Sequence, residues 1–262
     1  MTGPSDRPGS DSNVLPSGSE VPPSSVGPFV GECPLGAGHW KLVDLSNAEV
    51  RQLTAFLNGA IMDSGVRHHL WRSWGLCERH GWAYAVLEIE VNGGRPFSTT
   101  ILLADLMVRA VRLMRRTRRL PWPVPLHRLR VGAKCFTCEF VAMIARVNGA
   151  FPASEESAAG GQTTRFTALL KSSEALWRPL ACPACGGGRG PLCRPHLLAG
   201  RPPGLREEME RYLSGLSGRL ETYLRSMTWR GPVASELEGV AWIEALGWFY
   251  GWRTPLSAVE DG

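Results

Sequence analysis

Lysine is almost missing from this chain. Of 29 basic residues only Lys41, Lys134 and Lys171 are not arginine. Arginine-dominated charge can mean anion recognition, because the guanidinium fork matches carboxylates and phosphates. Alanine, glycine and proline are abundant as well, and a coding bias accounts for all of these together. Long apolar runs are also missing. The best candidate, TTILLADLMVRAVRLM, is interrupted by Asp105, Arg109 and Arg112, and a membrane helix needs about 18 or more apolar residues. No membrane association is therefore expected. The opening stretch MTGPSDRPGSDSNVLPSGSEVPPSSVG has neither the charged region nor the apolar region of a secretory signal, which leads to the expectation of a cytoplasmic protein. There is no alternating strand pattern, no P-loop, no serine-nucleophile elbow and no dinucleotide glycine fingerprint. The stretches VNGGRPF and CGGGRG are turns, too short and wrongly placed to cradle a nucleotide.

What is present is helical. The 262 residues are 44% hydrophobic and 20% charged, with net charge +5 and pI about 9.0, enough for one large domain or two small ones with a real core. Residues 1–28, rich in Pro, Ser and Gly, are expected to be a disordered tail. Ser46 and Glu49 stand in capping-box spacing ahead of a stripe of Val50, Leu53, Phe56 and Leu57. GVRHHLWRSWG reads as a short helix and Cys77–Val91 as another. Ser98 reads as the cap of a long helix that Pro121 ends, and WPVPLHRLRVGAK as a proline-broken linker. Further helices are expected at about 135–147 and 163–176, across 205–227, and in ASELEGVAWIEALGWFYG. The expected fold class is all-α: a first helical repeat over 29–120, a linker over 121–134, a second repeat with C-terminal helices over 135–252, and a tail over 253–262.

The seven cysteines carry the chemistry. Cys135-x-x-Cys138 and Cys182-x-x-Cys185 are CxxC pairs, Cys77-x-x-His80 and Cys193-x-x-His196 are CxxH pairs, and Cys33 stands alone before Pro34. Each pair offers two soft ligands from a single turn, and two pairs complete a zinc site. Zinc is thus the expected cofactor. In the second half two sets compete. Cys135, Cys138, Cys193 and His196 would staple distant helices, whereas Cys182, Cys185, Cys193 and His196 would make a compact C-x2-C-x7-C-x2-H knob. The first half offers Cys33, Cys77 and His80. His39 could close that set, water could leave it open and catalytic, or the site could be metal-free with Cys77 a buried thiol. Loop closure favours the compact set. An internal repeat favours the long-range one: Cys33 to Cys77 spans 44 residues, Cys135 to Cys193 spans 58, and the excess of 14 equals the length of the low-complexity stretch 149–162.

The order of these motifs resembles the uncharacterised bacterial DUF6062 family over about residues 30–252. The shared order is CP-x-C, two helices, GLCxxHxW, a long helix, CxxC, two helices, LCxxHL, a long helix, and a terminal helix with Glu and Trp. The resemblance implies an internally duplicated, metal-binding helical bundle and no particular reaction. The chain departs from the pattern at Gly36, where a second cysteine is expected, and in its extra pair Cys182 and Cys185. Repeat and resemblance together make the long-range set the expectation. Cys182 and Cys185 would then be a redox dithiol or would cross over to the first site.

The functional expectation is a zinc-stapled, non-catalytic bundle that binds a protein partner or regulates. One alternative is a zinc-dependent enzyme using an open Cys33/Cys77/His80 site. Another is a nucleic-acid binder using the run from Arg109 to Lys134, which holds nine basic residues and no acidic one. The stripe Leu205, Met209, Tyr212, Leu216, Leu220, Tyr223, Met227 suits the last layer of a bundle core, or a homodimer seam.

Overall fold

The computed structural model describes residues 45–148, 163–200 and 205–260. The expectations for the 1–28 tail, the loop 149–162, Cys33 and His39 lie outside the described residues. Thirteen α-helices and no strand occur among the described residues, so the fold is all-α. In chain order they are α1 (Asn47–Leu57), α2 (Ser64–Ser73), α3 (Glu78–Asn92), α4 (Phe97–Arg116), α5 (Pro123–Arg128), α6 (Phe136–Asn148) and α7 (Thr164–Ser172). They continue with α8 (Glu174–Trp177), α9 (Arg194–Gly200), α10 (Arg206–Ser226), α11 (Glu236–Gly239), α12 (Ala241–Tyr250) and α13 (Arg253–Glu260). None of them is long and apolar enough to cross a membrane.

Two helices form the centre because their sequences have no polar face. In α3 every residue from Arg79 to Ile89 is buried, and in α12 all ten residues are. Tyr250 at the end of α12 ties the two together. Its hydroxyl accepts from the Leu76 amide at 3.2 Å, and its ring fills the space beside Gly75 and Gly81 that a methyl group would need. The stripe on α10 is used inside the chain. Met209, Leu213, Leu216 and Leu220 are buried against α4, which runs antiparallel to it: Arg115 near the end of α4 meets Ser214 and Glu210, and Arg118 meets Glu207.

Three expectations change. The segment 121–134 is not a bare linker, since it holds α5, whose Pro125 and Leu126 are buried. Residues 253–260 are a helix with Thr254, Pro255 and Leu256 buried, not a tail. Ser98 does not cap α4. That helix starts one residue earlier, and the fully buried Glu88 carboxylate from α3 accepts the amides of Ser98 (2.5 Å) and Thr99 (2.8 Å). A cap supplied from another helix is invisible to local spacing. Replacing Glu88 by Ala leaves these two first-turn donors without an acceptor in a dry site. The expected loss is about 1–3 kcal/mol, read from urea denaturation at unchanged slope. A change below about 0.5 kcal/mol, the scatter of ordinary surface substitutions, would sink this assignment.

Candidate metal centres

Both CxxH motifs sit where a helix begins. Cys77 is the N-cap of α3, in extended conformation, with its carbonyl accepting from Gly81. Cys193 precedes α9, its carbonyl accepting from Leu197 at 2.8 Å. One turn later His80 and His196 fall on the same side as their cysteines. The free amides and positive end of a helix favour a thiolate there. Cys182-Pro-Ala-Cys185 forms a single tight turn. The Cys185 amide donates to the Cys182 carbonyl, and Gly186 at φ 85° reverses the chain, a conformation suited to glycine. Cys135 and Cys138 bracket the first turn of α6, where Glu139 donates to the Cys135 carbonyl.

Two sets of four donors result. Cys77, His80, Cys135 and Cys138 have their donor atoms within 4.8 Å of one another, and so do Cys182, Cys185, Cys193 and His196. In the first set His80 Nδ1 lies 3.3 Å from Cys77 Sγ, 3.3 Å from Cys138 Sγ and 3.5 Å from Cys135 Sγ, and Cys77 Sγ to Cys138 Sγ is 3.8 Å. In the second, His196 Nδ1 lies 3.1, 3.3 and 3.6 Å from Cys193, Cys185 and Cys182, and Cys185 Sγ to Cys193 Sγ is 3.8 Å. A tetrahedron with metal–sulfur bonds of about 2.3 Å and metal–nitrogen bonds of about 2.05 Å has S···S edges of about 3.8 Å and S···N edges of about 3.5 Å. The observed spacings match those edges and are far too long for disulfides. Both sets could hold a metal ion.

The electrostatics of both sets suit a cation. Hydrogen bonds from Cys185 and Cys193 drive the Cys182 thiol well below its usual range, while Cys185, facing the Cys182 charge, is pushed up to about 11 and Cys193 higher still. Three sulfurs this close cannot all be thiolates unless a positive ion lies among them. In the first set, burial would lower His80, but its bonds to Cys135 and Glu49 raise it to about 9.

Glu49, read from spacing only as half of a capping box, has a role at the site that spacing did not reveal. It is 1% exposed, and its carboxylate takes His80 Nε2 at 2.8 Å, Arg79 Nε at 2.9 Å and the Ser46 amide at 2.7 Å. The capping box thus turns inward to become the orienting partner of a candidate ligand. With Nε2–H donated to Glu49, Nδ1 is the ring nitrogen that faces the three sulfurs and would give its lone pair to a metal held there. The second set has a different anchor. Arg194, beside Cys193, is buried and donates to the Phe249 carbonyl (3.1 Å) and the Leu129 carbonyl (3.2 Å), which ties α9 to the ends of α12 and α5.

The long-range set Cys135, Cys138, Cys193 and His196 does not form. Cys135 and Cys138 instead join Cys77 and His80, and Cys182 and Cys185 are neither spare nor a crossover pair. The ligand pairing therefore does not follow the supposed repeat. Nor is Cys77/His80 left as an incomplete pair. His69 stands apart, its Nε2 2.7 Å from the Lys134 carbonyl. No family model matches the chain, and no curated protein or solved structure matches it.

Proposed function

We propose that the protein is a non-catalytic, zinc-binding helical scaffold that works by engaging a partner. The observation that carries this is the completeness of both sets. Each offers three sulfurs and one imidazole nitrogen at tetrahedral edge spacing, and four protein ligands leave no position for a substrate, which is the pattern of structural zinc. Soft thiolate donors also select zinc over hard cations. The positions of the pairs suit a staple: the first set joins the starts of α3 and α6, and the second pins the turn at 182–186 to α9. Partner binding is supported by large apolar side chains in open water, Trp229 at 96% and Val233 at 97% exposure. The likeness of the motif order to the DUF6062 family accords with a metal-binding bundle. Metal analysis of the native protein is expected to find zinc near two equivalents. Chelation should unfold the bundle, because ligand binding energy is also folding energy. A chain that stays well folded after exhaustive chelation, with every thiol open to titration, would overturn the proposal.

A further inference from the structure

Tertiary packing brings the basic run of the sequence onto a pair of tryptophans from another helix. On α2, Trp71 is 45% exposed and Trp74 is buried. The guanidinium carbon of Arg109 on α4 lies 3.6 Å from the Trp74 ring centroid and 4.6 Å from that of Trp71. The segment after α5 is fastened beside them. Trp74 Nε1 donates to the Arg128 carbonyl at 3.1 Å, and the Gly132 amide donates to the Arg72 carbonyl at 3.2 Å. Arg72, Arg112, Arg116 and Arg128 are exposed, and the spacing of Arg109, Arg112 and Arg116 puts them on one side of α4.

The arginines of this run divide into two groups. Arg115 and Arg118 pair with Glu210 and Glu207 of α10. Among the described residues no carboxylate lies within ion-pair distance of Arg72, Arg109, Arg112, Arg116 or Arg128. Asp105, one turn before Arg109 on α4, is engaged by Arg67 at 3.2 Å. Arg109 Nη1 is buried and has no hydrogen-bond partner among the described residues. Burial lowers its guanidinium to about 10, against the pull of the Asp105 charge, and the buried charge of Arg194 adds repulsion. A desolvated cation is costly to leave without a counter-charge, and an anion docked on this face would supply one.

Trp71 narrows the choice of anion. It also lines an apolar groove of about 210 Å³ bounded by α1, α2 and α4, so an apolar surface adjoins the ring on which Arg109 lies. Phosphates on arginines with a base on an exposed ring is the chemistry of single-stranded nucleic-acid binding, which needs no sequence readout. We propose that this face binds single-stranded nucleic acid, with phosphates on Arg72, Arg109, Arg112 and Arg116 and a base against Trp71.

The test is fluorescence anisotropy of labelled oligothymidine of about 15 nucleotides with the full-length, metal-loaded protein. Four phosphate contacts at about −0.7 each predict a salt slope near −2.8, so raising salt from about 50 to about 200 mM should weaken binding about 50-fold. Arg112→Gln with Arg116→Gln should flatten the slope by about 1.4, and Trp71→Ala should weaken binding about 5- to 150-fold. All three positions are exposed, so circular dichroism and metal content are expected to stay as in the parent. Three outcomes overturn the proposal. One is absence of binding at about 0.1 mM protein in low salt, weaker than ordinary non-specific association. The second is a salt slope unaffected by the arginine changes, or a Trp71→Ala variant that binds as the parent does. The third is tighter binding to phosphatidylglycerol vesicles than to the oligonucleotide.

Discussion

Cys135→Ser and Cys182→Ser are each expected to cost one zinc equivalent, and the double variant both. Each serine removes one of four donors from a different set, so the losses should be independent, because sites without shared partners behave additively. The cost in stability should be among the largest any single substitution produces here. Structural zinc contributes about 10–16 kcal/mol in small zinc peptides, against a total stability of about 5–15 kcal/mol for a typical domain. A loss of about 4 kcal/mol already lowers the melting temperature by about 8–16 °C in a chain of this size. Metal analysis and calorimetry of the three variants check this. A Cys182→Ser protein that keeps full zinc while Cys135→Ser loses it all would restore the long-range pairing and sink the two-site description.

Glu49→Ala is expected to come next in size, although Glu49 touches no sulfur. The substitution removes a carboxylate that accepts from the Arg79 guanidinium, itself 8% exposed, and frees the ring of His80. Removing one partner of a buried pair costs about 3–5 kcal/mol, and loss of the orienting partner of a ligating histidine costs about 10- to 100-fold in metal affinity. Competition with a chromophoric chelator reads the second effect, and urea denaturation the first. Glu49→Gln should recover part of the affinity, since the amide oxygen can still accept from Nε2. The same contacts have a pH signature. Burial would raise the Glu49 carboxyl, but His80, Arg79 and the Ser46 amide bring it down to about 2 from an ordinary 4.5. Between those values the unfolded chain holds the proton and the folded chain does not. The contribution is therefore full above about pH 4.5 and is lost as pH falls toward about 2. Glu49→Ala should remove that segment of the acid-unfolding curve, and an unchanged curve would show that the pairing adds nothing.

Much of this molecule was legible in the order of its residues, where the cause was local. The capping box at Ser46 and Glu49, the glycines that end α3, and the mostly apolar runs of α3 and α12 announce helices, because capping and side-chain period act within a few residues. The four ligand pairs were equally plain, since two donors three residues apart occupy one turn. Which pair meets which was not legible. A CxxC pair can close with either CxxH pair, and the entropy of the intervening loop grows only with the logarithm of its length. Loop closure nevertheless named the correct partners for Cys193 and His196, while the supposed repeat named the wrong ones. Packing of α6 against α1 and α2 decided that Cys135 and Cys138 would meet Cys77 and His80. Tertiary structure alone decided the inward turn of Glu49 onto His80, the cap that Glu88 lends to α4, and the place of Arg109 between two tryptophans. In the first two cases a charged side chain is matched by groups that local spacing does not reveal, and only burial makes that match worth more than water; in the third a cation is laid on two aromatic faces.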